Sequence, residues 1–362
     1  TSHITLIHNN TKKHKNHQNK HYHEKPMITA LEIENYRGIK HCKIEDLKQV
    51  NILIGRNNAG KSSILEALYL ASAAFAPHDP FHTEKFKIDY LITRRGQRGQ
   101  ESDESLYYNY ERREEPNISV YFKYFNKLKP KISIRYTGKK QPSIITYGDA
   151  RIESFIKQFS QIYFEKAKKF FESVVMIDEQ FIRMLYIVEN ALLRKLFESR
   201  LDKLLIEVLR DGYELDVEGL TYIPFNQGYQ LAVKLSRTIK FVDDLGDGAK
   251  YAIVLAMVAA TMHDSLLLIE EPECHQHPGG LAKTMDILLR LVERNNLQVF
   301  MSTHSRELCL IVEKLAEEHG VDVATFFIER GEDGEVTARR ISAEDRKILE
   351  MLGLDIRFVD VI

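Results

Sequence analysis

One short stretch constrains this chain more than any other. The apolar run Val50-Asn-Ile-Leu-Ile54 breaks at Gly55-Arg56-Asn57-Asn58-Ala59-Gly60-Lys61-Ser62. Lys61 opens a helical segment with Ile64, Leu65, Leu68 and Ala71 on one face, and Pro77 closes it. A buried strand, a glycine-rich turn and a helix in succession meet the pattern G-x-x-x-x-G-K-[ST] without a mismatch. Gly55 and Gly60 let the backbone turn tightly and come close to an anion. Successive N–H groups and the helix N-terminus make a preorganised phosphate site, to which Arg56, Asn57, Asn58, Ala59 and Ser63 belong. Lys61 is placed to reach β- and γ-phosphates, and the Ser62 hydroxyl to ligate Mg²⁺.

The remaining chain has room for a large fold around this turn. Its 362 residues suggest two domains, or one large domain with an insertion. Basic and acidic residues nearly cancel, 51 against 52, so no global positive field advertises nucleic acid. No apolar run reaches the ~20 residues that span a bilayer, which predicts no membrane segment. Three scattered cysteines fit a reducing cytoplasm and no disulfide framework. Residues 1–26 hold six histidines and five lysines with few apolar residues, and read as a solvated, disordered leader. Residues 93–116 read as loop, followed by strands at 118–125, 132–136 and 144–147. Residues 151–210 contain neither proline nor glycine and carry helical periodicity, predicting two helices of ~25 residues, each ~35–40 Å long. The segment 249–263 is apolar on nearly every face and reads as a buried helix. From there, strands alternate with helices, which indicates a largely parallel α/β sheet.

Three further motifs carry chemistry. The buried strand Leu266-Leu-Leu-Ile runs into Glu270-Glu271-Pro272-Glu273, and acids leaving a buried strand are costly unless they meet a cation or a donor. Ligands gather at the carboxyl ends of parallel strands. Glu270 is therefore expected near Mg²⁺, and Glu271 as the general base that polarises an attacking water. Another buried strand ends in Val299-Phe-Met-Ser-Thr-His304-Ser305, where His304 is expected to contact a γ-phosphate. Gly246-Asp247-Gly248 opens the buried helix and makes a second anion site. Cys274, His275 and His277 lie close together but match no usual zinc spacing.

Taken in order, the stretches ENYRGI, GRNNAGKSS, LGDGAKYAIVLA, LLLIEEPECHQHP and VFMSTHS resemble the ATP-binding-cassette type of ATPase. The resemblance is closest to the soluble AAA-type, SMC/RecF/OLD-like branch, and covers roughly residues 27–92 and 237–362. It implies an α/β P-loop NTPase fold with an ABC-type head: a largely parallel sheet flanked by helices, an antiparallel β portion, and a β plus helical insertion at 93–236. It implies ATP and Mg²⁺ as cofactors. It also implies a head-to-tail homodimer in which Gly246, Asp247 and Gly248 act in trans, and an Arg37 that approaches nucleotide. DNA, and a nuclease or effector protein, are the partner classes it suggests.

There are departures. LGDGA stands where transporter ATPases have LSGGQ, and Glu270 replaces the usual Asp. The glutamine loop has only Gln97 and Gln100 as candidates. The 58 residues after His304 show no clear carboxylate cluster, so no nuclease is expected in this chain. The expected function is an ATP-hydrolysing switch that dimerises on ATP, in DNA repair, genome maintenance or defence against foreign DNA. Arg94, Arg95, Arg98 and the lysines of 127–131 are local basic support for the DNA link. The alternatives are a non-hydrolysing nucleotide-sensing scaffold of an effector system, and a transporter ATPase subunit.

Overall fold

A computed structural model of the protein describes residues 26–81, 85–94, 102–123, 131–147, 156–184, 190–192, 198, 200–225 and 228–351. Residues 1–25 of the leader, Gln97, Gln100, Arg95, Arg98, Lys127 and Lys129 lie outside the described residues. Apolar alternation after Met27 yields β1 (Ile28–Tyr36) and its antiparallel partner β2 (Ile39–Ile44). The wholly buried β3 (Val50–Ile54) follows and leads into α1 (Lys61–Ala73). A short helix, α2 (Lys87–Thr93), follows, and the charged segment expected as loop contains two single 3-10 turns among its described residues, Asp103–Leu106 and Tyr108–Tyr110. Three antiparallel strands come next, β4 (Asn117–Phe122), β5 (Lys131–Arg135) and β6 (Ser143–Tyr147).

The proline-free stretch 151–210 is not two long helices. It forms α3 (Ile156–Glu172), then strand β7 (Val175–Ile177), the short α4 (Glu179–Arg183) and, later, α5 (Leu201–Tyr213). Val174, Val175 and Ile177 are β-branched and favour a strand, β7 pairs with β11, and Asp178 caps α4 by accepting from the Phe181 N–H at 2.8 Å. A small separate sheet follows, β8 (Val217–Phe225), β9 (Gly228–Leu235) and β10 (Ile239–Phe241). The chain then alternates through α6 (Asp247–Thr261), β11 (Leu266–Glu270), α7 (Pro278–Asn295), β12 (Gln298–Thr303) and α8 (Arg306–His319). It finishes its described part with β13 (Val323–Arg330), β14 (Glu335–Ile341) and α9 (Ala343–Met351).

One sheet of eleven strands organises the molecule, in the order β6-β5-β4-β1-β2-β14-β13-β3-β12-β11-β7. The run β13-β3-β12-β11-β7 is parallel, and β2-β1-β4-β5-β6 is antiparallel. Both halves of the expected α/β architecture are thus one hydrogen-bonded surface, and β4, β5, β6 and β7 extend the same sheet. Alternation along each central strand feeds two cores. Val50, Ile52, Leu267, Ile269 and Val299 face the layer of α5, α6, α7 and α8, while Leu53, Leu266, Leu268 and Phe300 face α1. The helix α6 is buried through most of its length, which is why its sequence is apolar all round. No helix among the described residues is long and apolar enough to cross a membrane.

Two buried polar side chains knit the central strands. Gln298 of β12 accepts from the Ile28 N–H and donates to the Ile28 carbonyl, both at 2.8 Å, and Asn51 does the same for Lys48, also at 2.8 Å each. A different buried group carries a cost. Lys87 of α2 is fully buried, with its ammonium 2.9 Å from Ser72 Oγ and 5.4 Å from the Tyr69 ring centroid. Burial pushes its pKa down to about 8. In the unfolded chain lysine keeps its proton to higher pH, so stability is lowest below about 8 and rises as pH climbs towards 10.5. Lys87→Met should melt higher than the wild type at pH 7, and the gap should close by about pH 10. Parallel thermal melts across that range check this.

Candidate nucleotide site

At the carboxyl end of β3, the backbone of β13 leaves no space for a side chain. A Cβ on Gly55 would stand 2.3 Å from the Ile328 carbonyl oxygen, so glycine is required sterically. Gly60 has φ 104° and Asn58 has φ 63°, left-handed conformations that suit glycine and asparagine. No side chain caps α1 at Gly60, which leaves the helix N-terminus for a ligand. Gly55→Ala should cost about 1–3 kcal/mol through this overpacking. Denaturant unfolding measures that cost, and it should be accompanied by lost nucleotide binding.

Lys61 folds back over the turn it belongs to. Its ammonium donates to the Gly55 and Arg56 carbonyls, both at 2.9 Å, and lies 3.1 Å from His304 Nε2. Burial pushes its pKa down to about 8, against the pull of Glu271, Glu273 and Glu270. His304 stands between the lysine and the acid loop, with Nε2 3.2 Å from Glu271 Oε1. The histidine backbone is fixed by Glu273, whose Oε1 accepts from the His304 N–H at 3.0 Å and from Thr303 Oγ1 at 2.5 Å. Glu271 itself has φ 45°, and its N–H donates to the Ser302 carbonyl at 3.0 Å, so the loops after β11 and β12 are tied together.

These groups surround a cavity of about 600 Å³, within the size range of small-ligand sites. Asn57 to Ser63, Glu270, Glu271 and His304 all line it, together with Gly38, Arg94 and Arg330. Arg56 lines an adjoining cavity of about 380 Å³ with Asn57, Asn58 and Ala59. The Ser62 hydroxyl and the Glu270 carboxylate are hard oxygen donors, the type that suits Mg²⁺. The residues present therefore fit a magnesium–nucleotide ligand.

Arg37 is placed differently from the expectation. It does not line the cavity, because its guanidinium is spent inside the protein. It pairs with Glu66 and donates to the Leu91 carbonyl at 2.8 Å and the Ser105 carbonyl at 3.3 Å. Gly246, Asp247 and Gly248, expected to act from a second copy, do not line the cavity of their own chain. Gly246 caps α6, Asp247 pairs with Lys250 at 3.1 Å, and the Gly248 carbonyl accepts from Tyr213 Oη at 2.8 Å.

Sequence reasoning missed a cluster behind Glu270. The Arg94 side chain is 7% exposed and, far from a free basic surface, pairs with Glu66, with Glu270 and, at 2.8 Å, with Asp178. Tyr90 Oη donates to the other Asp178 oxygen at 2.5 Å. Lys131 pairs with Glu32 at 3.5 Å. A signal for Asp178 exists in the sequence: Val-Val-Met-Ile-Asp-Glu at 174–179 repeats the form of Leu-Leu-Ile-Glu-Glu at 267–271, an apolar strand running into acids.

Known proteins resemble this chain in family, in sequence and in fold. The family model described as "AAA domain, putative AbiEii toxin, Type IV TA system" matches residues 50–310. A Helicobacter pylori protein named ATP/GTP phosphatase is 25% identical over 338 residues, covering 81% of this chain and 89% of that one. The DNA replication and repair protein RecF of Nitrosococcus oceani is 54% identical over 43 residues, 12% of each chain. Among solved structures, an Smc head bound to the C-winged helix domain of ScpA superposes with a TM-score of 0.57 at 13% identity, covering 89% of this chain and 99% of that one.

Proposed function

From the premise that the chain belongs to this AAA-domain family and has the fold of an SMC-type P-loop head, we propose that it binds Mg–ATP, hydrolyses it, and dimerises while ATP is bound. One observation carries the reading: Lys61 Nζ and Glu271 Oε1 both lie within 3.2 Å of His304 Nε2, at the mouth of a glycine-built anion cradle. Lys61 and the N–H groups at the start of α1 hold the β- and γ-phosphates. Ser62 and Glu270 hold the metal, whose chemistry when bound is to neutralise charge on the transferring phosphate. Glu271 takes the proton of the attacking water, and His304 orients at the γ-phosphate, kept in place by Glu273.

The head comprises residues 27–92 and 237–362, and the insertion 93–236 lends it strands. A second copy covers the nucleotide with its Gly246-Asp247-Gly248 turn. The turn lies outside its own cleft, and a Cβ on Gly246 would meet nothing within 4 Å. A Cβ on Gly248 would meet the His275 carbonyl oxygen at 2.8 Å, so Gly246 is the cleaner position to probe. Gly246→Glu should weaken ATP-dependent dimerisation at least tenfold without lowering the melting temperature. Sedimentation velocity with ATP decides this, and dimerisation equal to wild type removes the trans role.

ATP-driven joining of two heads would switch a partner in DNA repair, genome maintenance or anti-foreign-DNA defence, with DNA or a nuclease or effector protein as that partner, in the cytoplasm. The RecF resemblance supports the DNA reading, and salt-dependent DNA binding tests it. A phosphate-release assay of wild type and Glu271→Gln tests hydrolysis. Wild-type release no higher than that of Glu271→Gln and of a protein-free blank favours a non-hydrolysing nucleotide-sensing scaffold instead.

A further inference from the structure

Behind the cleft, three carboxylates and a second guanidinium gather around Arg94. Glu66 lies on α1 one turn past Ser62, on the same helix face, and its side chain is fully buried. Asp178 closes β7 and Glu270 closes β11, neighbouring strands that put both acids on the same end of the sheet. Arg94, the residue that follows α2, reaches all three carboxylates with different nitrogens: Nη1 to Glu66, Nε to Asp178 and Nη2 to Glu270. Arg37 holds the second oxygen of Glu66. Three carboxylates against two guanidiniums leave one net negative charge, and removing Arg94 leaves two. The Arg94 contact to Glu270 occupies Oε2 of the carboxylate that the proposed function gives to the metal.

We propose that Arg94 is the resident counter-ion of the metal position: it neutralises Glu270 while the site holds no cation, and it prevents a divalent cation from binding until nucleotide phosphates add their own charge. This rests on the reading of Glu270 as the metal carboxylate. A site with Glu66, Asp178 and Glu270 facing Arg37 alone would be a divalent-cation trap without nucleotide. With Arg94 in place, the cation needs the phosphates as further ligands, so metal and nucleotide enter together. Arg94 is a positioning residue, acting on Glu270 and not on the nucleotide.

The test is Mn²⁺ binding to the full chain without nucleotide, followed by electron paramagnetic resonance of the free ion. Sites on the histidine-rich leader contribute equally to every variant. Arg94→Gln should gain one Mn²⁺ site at least tenfold tighter than any in the wild type. That site should be absent in the double variant Arg94→Gln/Glu270→Gln. Arg94→Lys, which keeps the charge, should return Mn²⁺ affinity to within about threefold of wild type. A thermal melt guards against loss of folding: Arg94→Gln should melt well below wild type in chelator and recover with Mg²⁺ alone, while the wild type does not respond. Wild-type Mn²⁺ affinity in Arg94→Gln, or an unfolded variant that no metal rescues, overturns the proposal and makes Arg94 a structural strut. Failure of the underlying reading shows separately, as nucleotide binding to the wild type that Mg²⁺ does not tighten.

Discussion

Lys61→Ala is expected to lower nucleotide affinity at least about 100-fold, close to 3 kcal/mol. The ammonium lies over the glycine cradle, 2.9 Å from the Gly55 and Arg56 carbonyls. It is already desolvated at 5% exposure, so its attraction for phosphate is weakly screened. Its three present contacts, to the Gly55 and Arg56 carbonyls and to His304, are replaceable by a triphosphate that offers more negative charge. Folding should survive the change. Alanine forfeits two hydrogen bonds to backbone, yet it also relieves the burial that pulls the lysine pKa down to about 8. Titration calorimetry with ATP and Mg²⁺, beside a thermal melt, separates the two effects. Affinity within threefold of wild type in a folded Lys61→Ala protein would sink the nucleotide reading altogether.

The second large effect is expected at Glu271. Glu271→Gln keeps the size of the side chain and its place beside His304 but removes the basic oxygen. Hydrolysis should fall by about 10²–10⁴-fold, the range lost with a general base, while ATP binding changes little. If hydrolysis parts two heads, the variant should accumulate as an ATP-dependent dimer. Light scattering should then read a doubled mass with ATP and a single mass without it. A mass that nucleotide does not change contradicts the dimer switch, whatever the hydrolysis rate.

How much of this site can be read from sequence depends on whether neighbours in space are also neighbours in the chain. The phosphate loop is legible because strand, turn and helix are contiguous over 50–73 and Gly60 answers to its own backbone at φ 104°, whereas the Ile328 carbonyl that requires Gly55 belongs to a distant strand and leaves no local trace. Glu270, Glu271 and His304 are legible only in company with the phosphate loop, because acids or a histidine at the end of an apolar strand, taken alone, more often serve structure. The parallel order of the central strands follows from their alternation with helices. Arg94 reads as a solvated or DNA-facing charge because nothing local reveals that Asp178, Glu66 and Glu270 converge on it. Arg37 escapes for the same reason: its burial against the Leu91 and Ser105 carbonyls is set by segments more than fifty residues away. The strand β7 is hidden by a proline-free helical context, in which three residues of sheet pairing with β11 outweigh periodicity.

The position of β3 has a consequence for how the protein is made. Its two partners are β12 and β13, and Asn51 reaches Val299 across 248 residues of sequence. At about 5–20 residues per second, a ribosome needs roughly 12–50 s to add that much chain. Throughout that interval the emerging segment 50–54 is an apolar strand with both edges open, and the turn after it lacks the β13 backbone that shapes it. A nascent chain therefore cannot load ligand as it is born, and chaperone protection of this early segment during translation should govern the yield of active protein.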